Sequence, residues 1–233
     1  MFETLFPILT DYSFDFEKHI IQQKLVKEFE PFPFLTKDCL EILKKIIDKE
    51  KKNIQSNDRI SNFIRGLGYT STFVRELCYH PKVLEYLKNL TRLDLEPHYL
   101  LSNVAHINIG LPNNKDVDKW HFDSVSYVLI IILSEPEDFK GGILEYKKDD
   151  QIHQVKFKKA GEAFFMRGSK LEHHVTPVLD GQRMTLINSY MNSNETQDDT
   201  RLETFEKEKN FKEEYEKGKK FWLNKKLSST TNN

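Results

Sequence analysis

The sequence predicts a mixed α+β fold in which a helical N-terminal part packs on an all-β core. Two features predict it. Up to about Leu90 the apolar residues recur at helical spacing. Beyond Leu93 they fall in short runs, rich in β-branched and aromatic residues and separated by Asn, Asp, Gly and Pro. With 233 residues, 38% of them hydrophobic, the chain suits one domain with a sizeable core. The expected division is a mainly helical support layer over 1–93, a β-core over 94–191, and a polar C-terminal helix and tail over 192–233.

Taken in order, Glu17 to Leu90 reads as helical. Pro31 and Pro33 break the chain ahead of Thr36, which reads as the N-cap of LEILKKIIDKEKK. Leu40, Leu43, Ile46 and Ile47 share one face of that helix. A second helix follows Ser71 and Thr72 and ends near Tyr79. Pro81 suits the first turn of a third, with Leu84, Leu87 and Leu90 inward. The strand candidates are YLLSNVAHINIG, WHFDSVSYVLIIILS, GGILEY, QIHQVKF, EAFFMRG and RMTLINSYM. Strands at this spacing suggest a sandwich or barrel. Gly141 and Gly142 read as a hairpin corner. Glu203 to Lys226 reads as a charge-rich helix with Phe205, Phe211, Tyr215, Phe221 and Trp222 inward.

Composition excludes several classes. Lys plus Arg is 35 and Asp plus Glu is 36, so no basic field attracts nucleic acid. No apolar run approaches the ~20 residues that span a bilayer. Two cysteines, Cys39 and Cys78, make no disulfide framework. The first residues, MFETLFPILTDYSFDF, lack a basic n-region, and a cytoplasmic location is expected.

The chemistry centres on His121 and Asp123. Side chains two apart in a strand share a face. If the run through Leu133 is one strand, both point to the side of Val125 and Tyr127. A buried carboxylate needs a partner, and a divalent cation would serve both groups. For H-x-D alone, a hydrogen-bonded pair at a strand end is the simpler reading. The downstream residues change the balance. His173 and His174 precede V-T-P-V, and Arg183 follows on the next strand. One histidine from that strand would complete a two-His-one-carboxylate triad, the arrangement of non-haem Fe(II) oxygenases. Arg183 would grip a dicarboxylic cosubstrate bidentately, and Thr185, two residues on, shares its face.

H-x-D followed by H-x-V-x-P-V-x-x-G-x-R-x-[ST] resembles the Fe(II)- and 2-oxoglutarate-dependent oxygenases. W-H-F-D, G-G-I-L-E-Y and F-F-M-R-G-S-K-L-E-H-H-V-T-P-V are more narrowly similar to the small oxygenases related to free-amino-acid halogenases and lysine hydroxylases. The likeness runs from Tyr99 to Met191. It implies a double-stranded β-helix, or jelly roll, with helices on one sheet. It also implies Fe(II) on His121, Asp123 and His173, and 2-oxoglutarate on Arg183 and Thr185, with dioxygen as the oxidant. The register makes His173 the ligand and His174 a flanking residue. Glu172 departs from the group's pattern. Asp123 stands where the resembling halogenases have Gly or Ala, so hydroxylation is expected rather than chlorination. His106, Asn108, Arg167 and His174 are candidate substrate contacts. The expected partner is a small molecule, an amino acid; neither nucleic acid nor membrane is expected. A peptidyl hydroxylase of prolyl-hydroxylase type and a non-catalytic metal-binding jelly roll remain as alternatives.

Overall fold

The computed structural model describes residues 11–99, 104–113, 115–193 and 215–220. Among the described residues the N-terminal part holds five α-helices: α1 (Phe16–His19), α2 (Lys37–Glu50), α3 (Leu67–Thr70), α4 (Thr72–Tyr79) and α5 (Pro81–Thr91). The expected starts hold. Thr36 Oγ1 caps α2 at Cys39 N, Ser71 Oγ caps α4 at Val74 N, and Pro81 opens α5. The stripe of α2 is buried as its spacing requires, with Leu43 and Ile47 fully so. Val83 and Tyr86 join Leu87 in burying α5, while Leu84 and Leu90 sit at the margin.

The region is not continuously helical, however. Two short strands interrupt it, β1 (Phe32–Pro33) and β2 (Phe63–Ile64). Proline at 31 and 33 favours extended chain, and Phe32 and Phe34 are buried there. The remaining strands are β3 (Leu95–Pro97), β4 (His106–Gly110), β5 (Asp116–His121), β6 (Tyr127–Ile132), β7 (Phe139–Gly141), β8 (Leu144–Lys148), β9 (Gln151–Val155), β10 (Glu162–Met166), β11 (His173–Gly181) and β12 (Arg183–Asn192). They form two antiparallel sheets and no closed barrel. One runs β1-β10-β6-β12-β4-β2, with β3 on β12. The other runs β5-β11-β8-β9, with β7 on β11.

Alternation along the larger sheet sorts the two faces. Ile107, Ile109, Tyr127, Leu129, Ile131, Leu186 and Tyr190 pack with the helices. Val128, Ile130, Phe164 and Met166 face the smaller sheet, where they meet Leu144, Tyr146 and Val175. The expected single strand through Leu133 is therefore corrected. The chain leaves the smaller sheet after His121 and enters the larger at Tyr127. Crossing resets the alternation, so Val125 joins the inter-sheet cluster while Tyr127 turns to the helices. Residues 215–220 are helical, with Tyr215 buried. The rest of the expected C-terminal helix lies outside the described residues. No helix among the described residues is long and apolar enough to cross a membrane.

Candidate metal centre

His121 ends β5 and His173 begins β11, and the two are direct cross-strand partners. Their rings lie 4.2 Å apart, centroid to centroid. Asp123 comes from the crossing segment, which is tied down where Asp123 N donates to Gly168 O at 2.9 Å. One ligand atom from each of His121, Asp123 and His173 lies within 4.8 Å of the others.

The tautomers are set from behind. His121 Nδ1 lies 2.6 Å from Lys119 O, and His173 Nδ1 lies 2.8 Å from Leu171 O. A carbonyl oxygen only accepts, so both rings donate from Nδ1. That leaves each Nε2 turned to the carboxylate, at 3.3 Å from Asp123 Oδ1 for His121 and 3.5 Å from Oδ2 for His173. Two imidazole lone pairs and a carboxylate thus converge. The set fits a divalent cation of intermediate softness with open coordination positions.

Electrostatics agree. Burial alone would raise the Asp123 carboxyl, but His173, His121 and Arg59 hold it well below the usual carboxylate range. Burial pushes His173 down to about 4 against the pull of Asp123. Its neutral form is the form that binds metal. His121 is buried too, yet Asp123 and Asp118 outweigh that and raise it.

Arg183 and Thr185 open β12 on the same inward face, and the guanidinium is 1% exposed. Burial brings Arg183 down to about 10, with Asp118 opposing, so it keeps its charge near neutrality. Its hydrogen bond among the described residues is Arg183 Nη1 to Thr185 Oγ1 at 3.4 Å. A buried cation so poorly matched can take a carboxylate.

The triad, Arg183 and Thr185 line one cavity of about 310 Å³. His106 and Asn108, alternate residues of β4, line it as well. His174 and Arg167 do not. His174 points to the opposite face, bonded through Nε2 to Glu145 Oε2 at 2.9 Å and stacked on Trp120 at 3.9 Å. Arg167 lies over the Tyr127 ring at 5.3 Å. Trp120 packs away from the triad, as the strand position requires.

Sequence reasoning missed Asp118 and Arg59. Asp118 and His121 are three positions apart, which in a regular strand would put them on opposite faces. The pairing His173↔His121 and Val175↔Asp118 sets two residues of β11 against three of β5. That bulge brings Asp118 to the cavity face. Its Oδ1 lies 3.1 Å from Arg59 Nε and 3.5 Å from His121 Nδ1. Arg59 arrives on the turn before β2, where Asn57 Oδ1 accepts from Arg59 N and Ile60 N. The N-x-x-I turn was the one available signal. Nothing in the composition of β5 marks the bulge.

The halogenase D family model matches residues 65–210, more than half of the chain. The chain belongs to the halogenase D family. No curated protein matches it. Among solved structures, a 2OG-Fe(II) oxygenase-family oxidoreductase from Burkholderia pseudomallei aligns with a TM-score of 0.53 at 14% identity, over 68% of this chain and 80% of that one. The non-haem α-ketoglutarate-dependent carbocyclase SnoK of nogalamycin biosynthesis gives 0.54 at 13%, over 68% and 77%. AviO1 from Streptomyces viridochromogenes Tue57 gives 0.52 at 15%, over 71% and 90%. At these identities the likeness is one of fold. This halogenase D family member has the double-stranded β-helix of the 2OG-Fe(II) oxygenases.

Proposed function

We propose that the chain is an Fe(II)- and 2-oxoglutarate-dependent dioxygenase that hydroxylates an unactivated C–H bond of a small free amino acid. The observation that carries the reaction class is the convergence of three acceptors, His121 Nε2, His173 Nε2 and the Asp123 carboxylate, in the cavity that Arg183 enters. Bound iron with its cosubstrate supplies the oxidising power for C–H cleavage. The protein holds and orients. His121, Asp123 and His173 would hold the metal at the cavity wall. Arg183 and Thr185 take the distal carboxylate of 2-oxoglutarate. Val125, Val128, Ile130 and Leu144 wall the space and limit water.

Asp123 supports hydroxylation over the chemistry of the family's name. A carboxylate on the metal occupies the position a halide would need. The remaining lining supports a zwitterion. Arg59 and Arg65 line the cavity with positive charge, and His106 and Asn108 bring buried polar atoms to the same wall. A cavity this size is at the small end of ligand sites, roughly 300–1,000 Å³. It suits a free metabolite better than an extended peptide.

The test is succinate formation with free amino acids against peptides, followed by mass spectrometry of the product in excess chloride. A product heavier by about 16 Da, one inserted oxygen, is expected from a free amino acid. A chlorinated product would remove Asp123 from the metal. Turnover of peptides alone would overturn the substrate class.

A further inference from the structure

Asp123 does not sit in a strand. It lies on the crossing segment between the sheets, so its carboxylate needs a second element to fix it. That element is the turn after β10. Asp123 N donates to Gly168 O, and Ser169 N and Oγ both reach Ser126 O at 3.4 Å. The turn closes on itself through Lys170 N and Leu171 N, both bonded to Arg167 O at 3.1 Å. Gly168 therefore lies flat against the Asp123 side chain.

The backbone at 168 does not demand glycine. Gly66, Gly141, Gly142, Gly161 and Gly181 have positive φ, and Gly168 is not among them. Space demands it instead. A Cβ at 168 would lie 2.8 Å from Asp123 Cγ and 2.9 Å from Asp123 Cβ, and closer still to Oδ2. Carbon atoms in contact stay about 3.5–4.0 Å apart. The three atoms nearest that Cβ all belong to Asp123.

We infer that Gly168 is a positioning residue for the metal centre: its missing side chain is the space that holds the Asp123 carboxylate between His121 and His173. The inference rests on the reading that Asp123 binds the metal. A methyl group at 168 must push the carboxylate off that position, because the atoms it would overlap are Oδ2, Cγ and Cβ of Asp123 itself. With Asp123 shortened to glycine, the same methyl group has room. The effect of Gly168→Ala should then depend on what stands at 123.

The experiment is a double-mutant cycle on the full chain, with Co(II) as the metal probe. Wild type, Gly168→Ala, Asp123→Gly and the double variant are titrated by calorimetry. The Co(II) ligand-field spectrum is recorded, and the metal-free melting temperature of each is measured. Gly168→Ala is expected to weaken Co(II) by about 10–100-fold, as changes behind a ligand do. It should also alter the Co(II) spectrum, while metal-free melting stays level or rises, since alanine is entropically favoured at an unstrained glycine. Asp123→Gly should weaken Co(II) as well, and adding Gly168→Ala to it should cost nothing further. Wild-type Co(II) affinity in Gly168→Ala would overturn the inference while leaving Asp123 as a ligand. Losses that simply add would also overturn it. If Asp123→Gly keeps full affinity, the reading of Asp123 itself fails. Should Gly168→Ala not fold, folding of the double variant supports the inference, and its failure to fold overturns it.

Discussion

The neighbouring histidines His173 and His174 divide the work by direction alone. Opposite sides of β11 give one ring to the cavity and the other to Glu145 and Trp120. Alanine at His121, Asp123 or His173 should each abolish metal-dependent turnover. His174→Ala should keep it and lose stability instead, by roughly 0.5–1.5 kcal/mol for the hydrogen bond to Glu145. Succinate release and thermal melting, measured on the same four variants, check this. A dead His174→Ala beside an active His173→Ala would shift the assignment by one residue. Strand alternation and the motif register made this pair legible in the sequence. Asp118 was not legible by the same logic, because a bulge inverts the parity on which the logic depends. The thiols Cys39 and Cys78, read as making no disulfide framework, are both free. Both are buried, and burial raises them well above the ordinary thiol range.

At the scale of elements, the kink between β7 and β8 does more than bend the chain. Gly142 has φ near +60°, and a Cβ there would lie 2.6 Å from Arg183 Cδ and 3.0 Å from Val178 Cγ2. The glycine pair was read as a hairpin corner, but β7 and β8 run in line along β11, and the positive angles kink the chain between them instead of reversing it. Its packing on Arg183 is a tertiary fact that no local pattern carries. Gly142→Ala should therefore act like a mild Arg183 variant and raise KM for 2-oxoglutarate with little change in metal affinity. Arg183→Ala should do so strongly, by about 2–5 kcal/mol, or roughly 30-fold or more. Shifted metal binding with unchanged cosubstrate KM in both variants would make this kink structural only. The crossing segment after His121 shows the converse limit. A run as apolar as VSYVLIIIL looks like one strand with the residues before it. The change of sheet is dictated by partners, β11 on one side and β10 with β12 on the other, which are distant in sequence.

For the whole molecule, the layering was readable because it follows from burial: amphipathic helices need a sheet face, and the larger sheet offers one. The cavity lies between the two sheets on the side away from those helices. Its walls therefore come from both sheets, and its proposed metal ligands from β5, β11 and the segment joining β5 to β6. Metal and cosubstrate should consequently tie the two sheets together, and binding should show as global stability. A ligand at a hundred times its Kd adds about 2.7 kcal/mol to the folded state. For a chain of this size each kcal/mol moves Tm by roughly 2–4 °C. Co(II) with 2-oxoglutarate is thus expected to raise the wild-type Tm by roughly 5–10 °C under anaerobic conditions. Co(II) alone should give a smaller rise. Arg183→Ala should keep the metal-only rise and lose the increment from 2-oxoglutarate. His173→Ala should lose both, since the cosubstrate needs the metal as well as the arginine. A full rise in His173→Ala would place the metal at some other site and detach the cavity between the sheets from the proposed chemistry.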